Sequence, residues 1–170
     1  MTDEFRLTEK ILYDYPKNSA RLKVLTEDLR VLRISTDVKA QTYDKPPCDP
    51  LGHSDPVMSY VIKLETLEEK IKELERITEP IKSLVDYLNA PYILENSDKK
   101  ILKKILDFYY FGGNTQTDVL KELHVSRTQL YKKRLELVAL AGVYLGIDIF
   151  IILQKMNKLK TNCKQNTLKP

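Results

Sequence analysis

SDKKILKKILDFYYFGGNTQTDVLKELHVSRTQLYKKRLELVALA, residues 97–141, is the stretch whose reading decides the fold. Ile101, Leu102, Ile105, Leu106, Phe108 and Tyr109 fall at helical spacing, and Ser97 or Asp98 can cap the helix they define. Gly112-Gly113 is expected to stop that helix near Phe111, because glycine takes the left-handed conformation that ends helices. Thr115, with Asp118 three residues on, approximates a capping box for a short second helix carrying Val119, Leu120 and Leu123. His124-Val125 turns the chain, and Ser126 caps a third helix whose apolar positions are Leu130, Leu135, Leu137, Val138 and Ala141. A short helix, a tight turn with one buried aliphatic (Val125) and a capped third helix have the spacing of a helix-turn-helix.

Working outward, the preceding chain is also helical. A first segment, Asp3 to Tyr15, carries Leu7, Ile11 and Leu12; Pro16 is expected to interrupt it and open the next helix, which runs to about Arg33. Leu22, Leu25, Leu29 and Leu32 form a heptad stripe in that helix. Residues 34–54 hold three of the eight prolines and read as a loop. A further helix starts at Asp55-Pro56 with the stripe Tyr60, Leu64, Leu67, Ile71, Leu74, Ile81, Val85 and Leu88; Thr78 is its one polar position, and Pro80 predicts a kink or break near Glu79. The expected fold is therefore all-α. Residues 1–90 form a helical hairpin or coiled-coil arm serving dimerisation or polymerase contact, 91–154 a helix-turn-helix domain, and 155–170 a basic, flexible tail. Val143 to Leu153, aliphatic all round, either completes the core or forms a dimer patch.

Charge is divided along the chain. Residues 99–170 contain fourteen Lys+Arg against five Asp+Glu, whereas residues 1–98 contain fourteen against nineteen. A basic half of net +9 is fitted to a polyanion, and an acidic half of net −5 is not. The start, MTDEFRLTEK, lacks the apolar segment of a signal peptide, and the longest apolar run is too short to span a bilayer; a cytoplasmic protein with no membrane partner is expected. Two distant cysteines, Cys48 and Cys163, make no disulfide framework. Cys48 and His53, with Asp44 and Asp49, lack the second Cys/His pair a zinc site needs. No phosphate-binding glycine loop and no nucleophile–base spacing occurs, so neither a cofactor nor an enzyme activity is expected.

The basic half carries the functional expectation. A recognition helix meets base edges with its N-terminal residues. Arg127, Thr128 and Gln129 occupy that position and are the expected base readers, because arginine can contact guanine, and glutamine adenine, in two places at once. Tyr131, Lys132, Lys133 and Arg134 follow as mixed readers and phosphate contacts, the latter adding affinity without sequence information. Thr115 and Gln116, opening the second helix, complete the set of candidate contacts to double-stranded DNA. Two other readings fit the same pattern: a small DNA-packaging (terminase) subunit, and a helical adaptor whose lysines merely face solvent.

FYYFGGNTQTDVLKELHVSRTQLYKKRLELV, residues 108–138, resembles region 4 of sigma-70-type factors: an aromatic-rich helix end, glycine, a Thr-capped second helix, a small turn, then Ser-Arg opening the third. Together with YDYP (Tyr13 to Pro16), EDLR (Glu27 to Arg30) and the proline-bearing loop, the chain over about residues 8–145 resembles phage late-transcription regulators of the RinA and ArpU type. The resemblance implies a promoter-binding activator of phage or prophage late or packaging genes; the expected partners besides double-stranded DNA, a second copy of the chain or RNA polymerase, are those of the helical arm. Lys133 departs from the family pattern, which has an aliphatic residue there.

Overall fold

The computed structural model describes residues 3–40, 56–91 and 97–147, and among them there is no strand. The fold is all-α: α1 (Asp3–Ala40), α2 (Pro56–Asn89), α3 (Ser97–Ile105) continuing into a π-helical turn (Leu106–Phe111), α4 (Gln116–Leu123) and α5 (Arg127–Tyr144).

Both long helices run through their prolines. The break expected at Pro16 does not occur, and α2 passes Pro80 uninterrupted. A proline removes one N–H, here the donor that would have reached the carbonyl four residues back, and the ladder resumes on either side if packing holds it. Packing does so at both places. Phe5, Thr8 and Leu12 are buried ahead of Pro16, and Ile81, Leu84 and Leu88 are buried after Pro80, with Thr78, the polar position of that stripe, buried before it. Helix α1 also continues to Ala40, into the stretch read as loop; residues 41–54 of that loop lie outside the described residues.

The chain divides into two compact units. One comprises Met1–Pro16 with Ile77–Pro170, the other Lys17–Arg76. This division departs from an arm spanning residues 1–90, and the apolar surface explains why. Helices as short as α3 and α4 cannot enclose a core unaided. Phe5 and Leu12 of α1 and Ile81, Leu84 and Leu88 of α2 supply what they lack, closing over Leu102, Ile105, Leu106, Tyr110, Val119, Leu130, Leu137 and Val138.

An aromatic layer links the YDYP stretch to the FYYF stretch of the first unit. The Tyr13 ring lies 4.8 Å from Tyr110 and 5.7 Å from Tyr109, and Tyr15 stacks on Phe111 at 5.0 Å. Such ring pairs contribute beyond their buried area. The π-helical turn, where a plain α-helix to Phe111 was expected, turns Tyr110 inward and leaves Phe108 exposed. Gly112 closes that turn, its N–H donating to the Asp107 carbonyl at 2.9 Å. A β-carbon at Gly112 would stand 2.8 Å from the Phe108 carbonyl oxygen, so the closure requires glycine.

Helix α5 ends in a Schellman motif that cuts the aliphatic run Val143 to Leu153. Gly146 adopts φ +66°, its N–H donates to Val143, and Ile147 N–H donates to Gly142 at 2.9 Å. Residues 148–153 of the run lie outside the described residues. No side chain blocks a substituent at Gly146, so only the left-handed backbone opposes one. Gly146→Ala is expected to cost about 1 kcal/mol in chemical denaturation; a neutral result would mean that the motif does not persist in solution.

In the second unit, α1 and α2 run antiparallel as a hairpin, as their stripes predict. Tyr60 Oη donates to the Leu32 carbonyl at 3.5 Å, and Arg33 pairs with Glu68 at 2.6 Å. No helix among the described residues is long and apolar enough to cross a membrane. The cysteine and histidine near residue 50 lie outside the described residues; no group of metal-binding side chains occurs among those described.

Candidate nucleic-acid interface

Helices α4 and α5 are fixed at their starts by two capping boxes. Thr115 Oγ1 accepts from Asp118 N–H at 3.3 Å, and Asp118 Oδ2 accepts from Thr115 N–H at 3.2 Å. The Thr115 hydroxyl and backbone hold the Asp118 carboxyl below its ordinary pKa. At α5, Ser126 Oγ accepts from Gln129 N–H at 3.2 Å, while Gln129 Oε1 accepts from Ser126 N–H at 3.0 Å. Between them His124 takes the left-handed conformation, φ 50°, at the end of α4, so it shapes the turn. Val119 is fully buried and Val125 half-buried against the same core, which holds the two helices together.

This framework sorts the nine candidate contacts into groups. Arg127, Thr128, Tyr131 and Lys132 are exposed on the first two turns of α5, and Gln116 is exposed at the start of α4. Leu130, between them, is fully buried and anchors the turn that carries them. Thr115 and Gln129 are exposed but serve as caps. Gln129 is thereby corrected as an adenine reader: bidentate recognition needs the side-chain carbonyl as well as the amide, and here the carbonyl is taken by Ser126.

Lys133 and Arg134 face inward, a correction to their reading as phosphate contacts. Lys133 Nζ pairs with Asp98 at 3.2 Å and Glu136 at 3.1 Å. Burial works against its charge, but these two partners outweigh it and raise its pKa. Its stem thus fills an aliphatic position while its head is neutralised, as long amphipathic side chains permit.

Arg134 is held more firmly. Its guanidinium donates to Glu9 Oε1 at 2.5 Å and lies 4.6 Å from the centre of the Tyr109 ring. Tyr110 Oη donates to the same carboxylate oxygen at 2.8 Å. Only 16% of the Arg134 side chain and 14% of Glu9 remain exposed. Burial opposes the arginine's charge, yet the bonds to Tyr110 and Glu9 prevail and raise its pKa, while burial, followed by the Glu9 charge, raises that of Tyr110. A carboxylate near the start of α1 therefore fixes the middle of α5.

Sequence reasoning missed this contact, because a pair 125 residues apart leaves no periodic trace. The second capping box was within reach, since Ser126 and Gln129 stand in the S-x-x-Q pattern. On α3, Lys99 donates to Tyr87 Oη at 2.5 Å, whereas Lys100 and Lys104 are exposed.

No protein-family model, curated protein or solved structure matches this chain. Fold and side-chain geometry define an all-helical protein whose α5 presents a polar, basic, exposed first two turns.

Proposed function

We propose that this chain is a sequence-specific DNA-binding regulator that docks the start of α5 in the major groove. One observation carries the reading: Arg127, Thr128, Tyr131 and Lys132 stand exposed on a helix N-terminus that is capped, anchored by buried Leu130, and preceded by a short helix and a tight turn. That is the arrangement in which a recognition helix reads base edges. The helix dipole favours phosphate at the same end, and Gln116 opens a second such end on α4. Arg127 is the guanine reader, Thr128 and Tyr131 flank it, and Lys132 meets a phosphate. The resemblance to RinA- and ArpU-type regulators adds the sense of the regulation, activation of phage late genes in contact with RNA polymerase, with no catalytic chemistry.

Selection from a pool of random duplexes by the full chain, repeated across a salt series, tests the reading. One enriched sequence, with affinity falling steeply as salt rises, is the expected result. Absence of enrichment, or binding indifferent to salt, would remove DNA reading and leave a helical adaptor.

A further inference from the structure

Tyr131 differs from the other tyrosines of the fold. Every other described tyrosine sets its ring against an aromatic neighbour or uses its hydroxyl, as Tyr13 does with Tyr109 and Tyr110, Tyr87 with Tyr144, and Tyr60 with the Leu32 carbonyl. Tyr131, 42% exposed on the second turn of α5, has neither a ring contact nor a hydroxyl partner among the described residues. The ring therefore adds no packing to the fold, and tyrosine is a poorer helix former than the alanine or lysine that would serve a merely solvated position.

The neighbours of that ring are specific in kind. Tyr131 follows Arg127 by four residues and Thr128 by three, and Lys132 comes next; all four are exposed. Side chains three and four apart are neighbours on a helix. The Tyr131 ring and the Thr128 methyl group thus form an apolar spot bordered by two cations. It is too small and too closely ringed by charge to seat a protein partner.

We propose that Tyr131 reads the C5 methyl group of a pyrimidine, thymine or 5-methylcytosine, a reading that rests on the docking of α5 proposed above. Base edges in the major groove present donors and acceptors with one apolar exception, the C5 methyl, and it is met by apolar and aromatic side chains. Phosphates offer such a ring nothing comparable, so an apolar spot inside a polar reading face points to that group. Four residues advance ~6 Å along a helix and base pairs follow one another at ~3.4 Å, which places the methyl about one or two base pairs from the guanine held by Arg127.

Binding of the full chain to its selected duplex, followed by fluorescence anisotropy, tests the assignment with paired bases. Replacing the thymine by deoxyuridine removes the C5 methyl and nothing else; it is expected to weaken wild type about fourfold, the worth of one methyl group withdrawn from water. Where the selected base is cytosine, methylation at C5 is expected to tighten binding by the same factor, and which of the two holds identifies the pyrimidine. Tyr131→Ala is expected to bind the methyl-bearing and methyl-free duplexes alike, and Tyr131→Phe to discriminate as wild type does. Both variants are expected to unfold as wild type does, because the ring packs on nothing in the chain. Discrimination retained in Tyr131→Ala, or lost in Tyr131→Phe, overturns the proposal, as does a selected site at which no pyrimidine methyl changes the affinity. Those three results leave the docking of α5 standing, whereas a pool that yields no enriched sequence removes the docking and the methyl reading together.

Discussion

Glu9→Ala is expected to lower the unfolding free energy by about 3 kcal/mol, the largest effect of any surface-rim substitution in the first unit. The carboxylate serves two donors, the Arg134 guanidinium and the Tyr110 hydroxyl, from a position 14% exposed. Removing it leaves the arginine cation buried and without its counter-charge. Arg134 Nε is already buried with no hydrogen-bond partner among the described residues, so the site has little capacity to absorb a second loss. On a protein of this size the cost corresponds to a fall in Tm of roughly 10 °C. The pair itself is worth less than its breakage, because burying two charges forfeits hydration that their attraction only partly returns. Glu9→Ala combined with Arg134→Met is therefore expected to be more stable than Glu9→Ala alone, and Glu9→Gln, which keeps an acceptor for Tyr110, to fall between. If Glu9→Ala unfolds within 0.5 kcal/mol of wild type, on the order of an ordinary surface change, the link between α1 and α5 carries no energy.

The same link marks the limit of what the residues disclosed in advance. Local signals were legible: the Thr115–Asp118 box, Ser126 as a cap, Pro56 as the opening of α2 and the two facing leucine-rich stripes all follow from spacing a few residues wide. The prolines misled, since the cost of Pro16 and Pro80 is local while the packing of Leu12 and Ile81 that overrides it is tertiary. Lys133 and Arg134 misled for the related reason that charge is read from the residue but its use is set by neighbours. Asp98 and Glu9 lie 35 and 125 residues away, and they turn two apparent phosphate contacts into struts. The candidate surface contracted accordingly to Arg127, Thr128, Tyr131, Lys132 and Gln116, all exposed and none of them part of the core.

That contraction separates two residues that charge alone would treat as equal. Under the proposed docking, Arg127→Ala is expected to weaken binding to the selected duplex by about 2 kcal/mol, roughly thirtyfold, and to relax the preference at one base pair, because a bidentate arginine discriminates between bases. Lys132→Ala is expected to weaken every duplex by a similar smaller factor and to reduce the slope of log affinity against log salt by about one, the signature of a lost phosphate neutralisation. Both side chains are exposed on α5 and neither caps the helix, so both variants are expected to unfold as wild type does, and the changes in binding report contact rather than folding. Arg134→Met provides the contrast: it lowers stability and leaves the base preference of the folded protein in place, because its guanidinium is spent on Glu9. Should Arg127→Ala and Lys132→Ala reduce affinity equally for all sequences, the first turn of α5 touches only the backbone, and specificity must come from elsewhere on the fold. Should Arg134→Met change the base preference while Arg127→Ala does not, the inward pairing with Glu9 gives way on DNA, and the residues that read bases lie about two turns further along α5 than the free protein presents them.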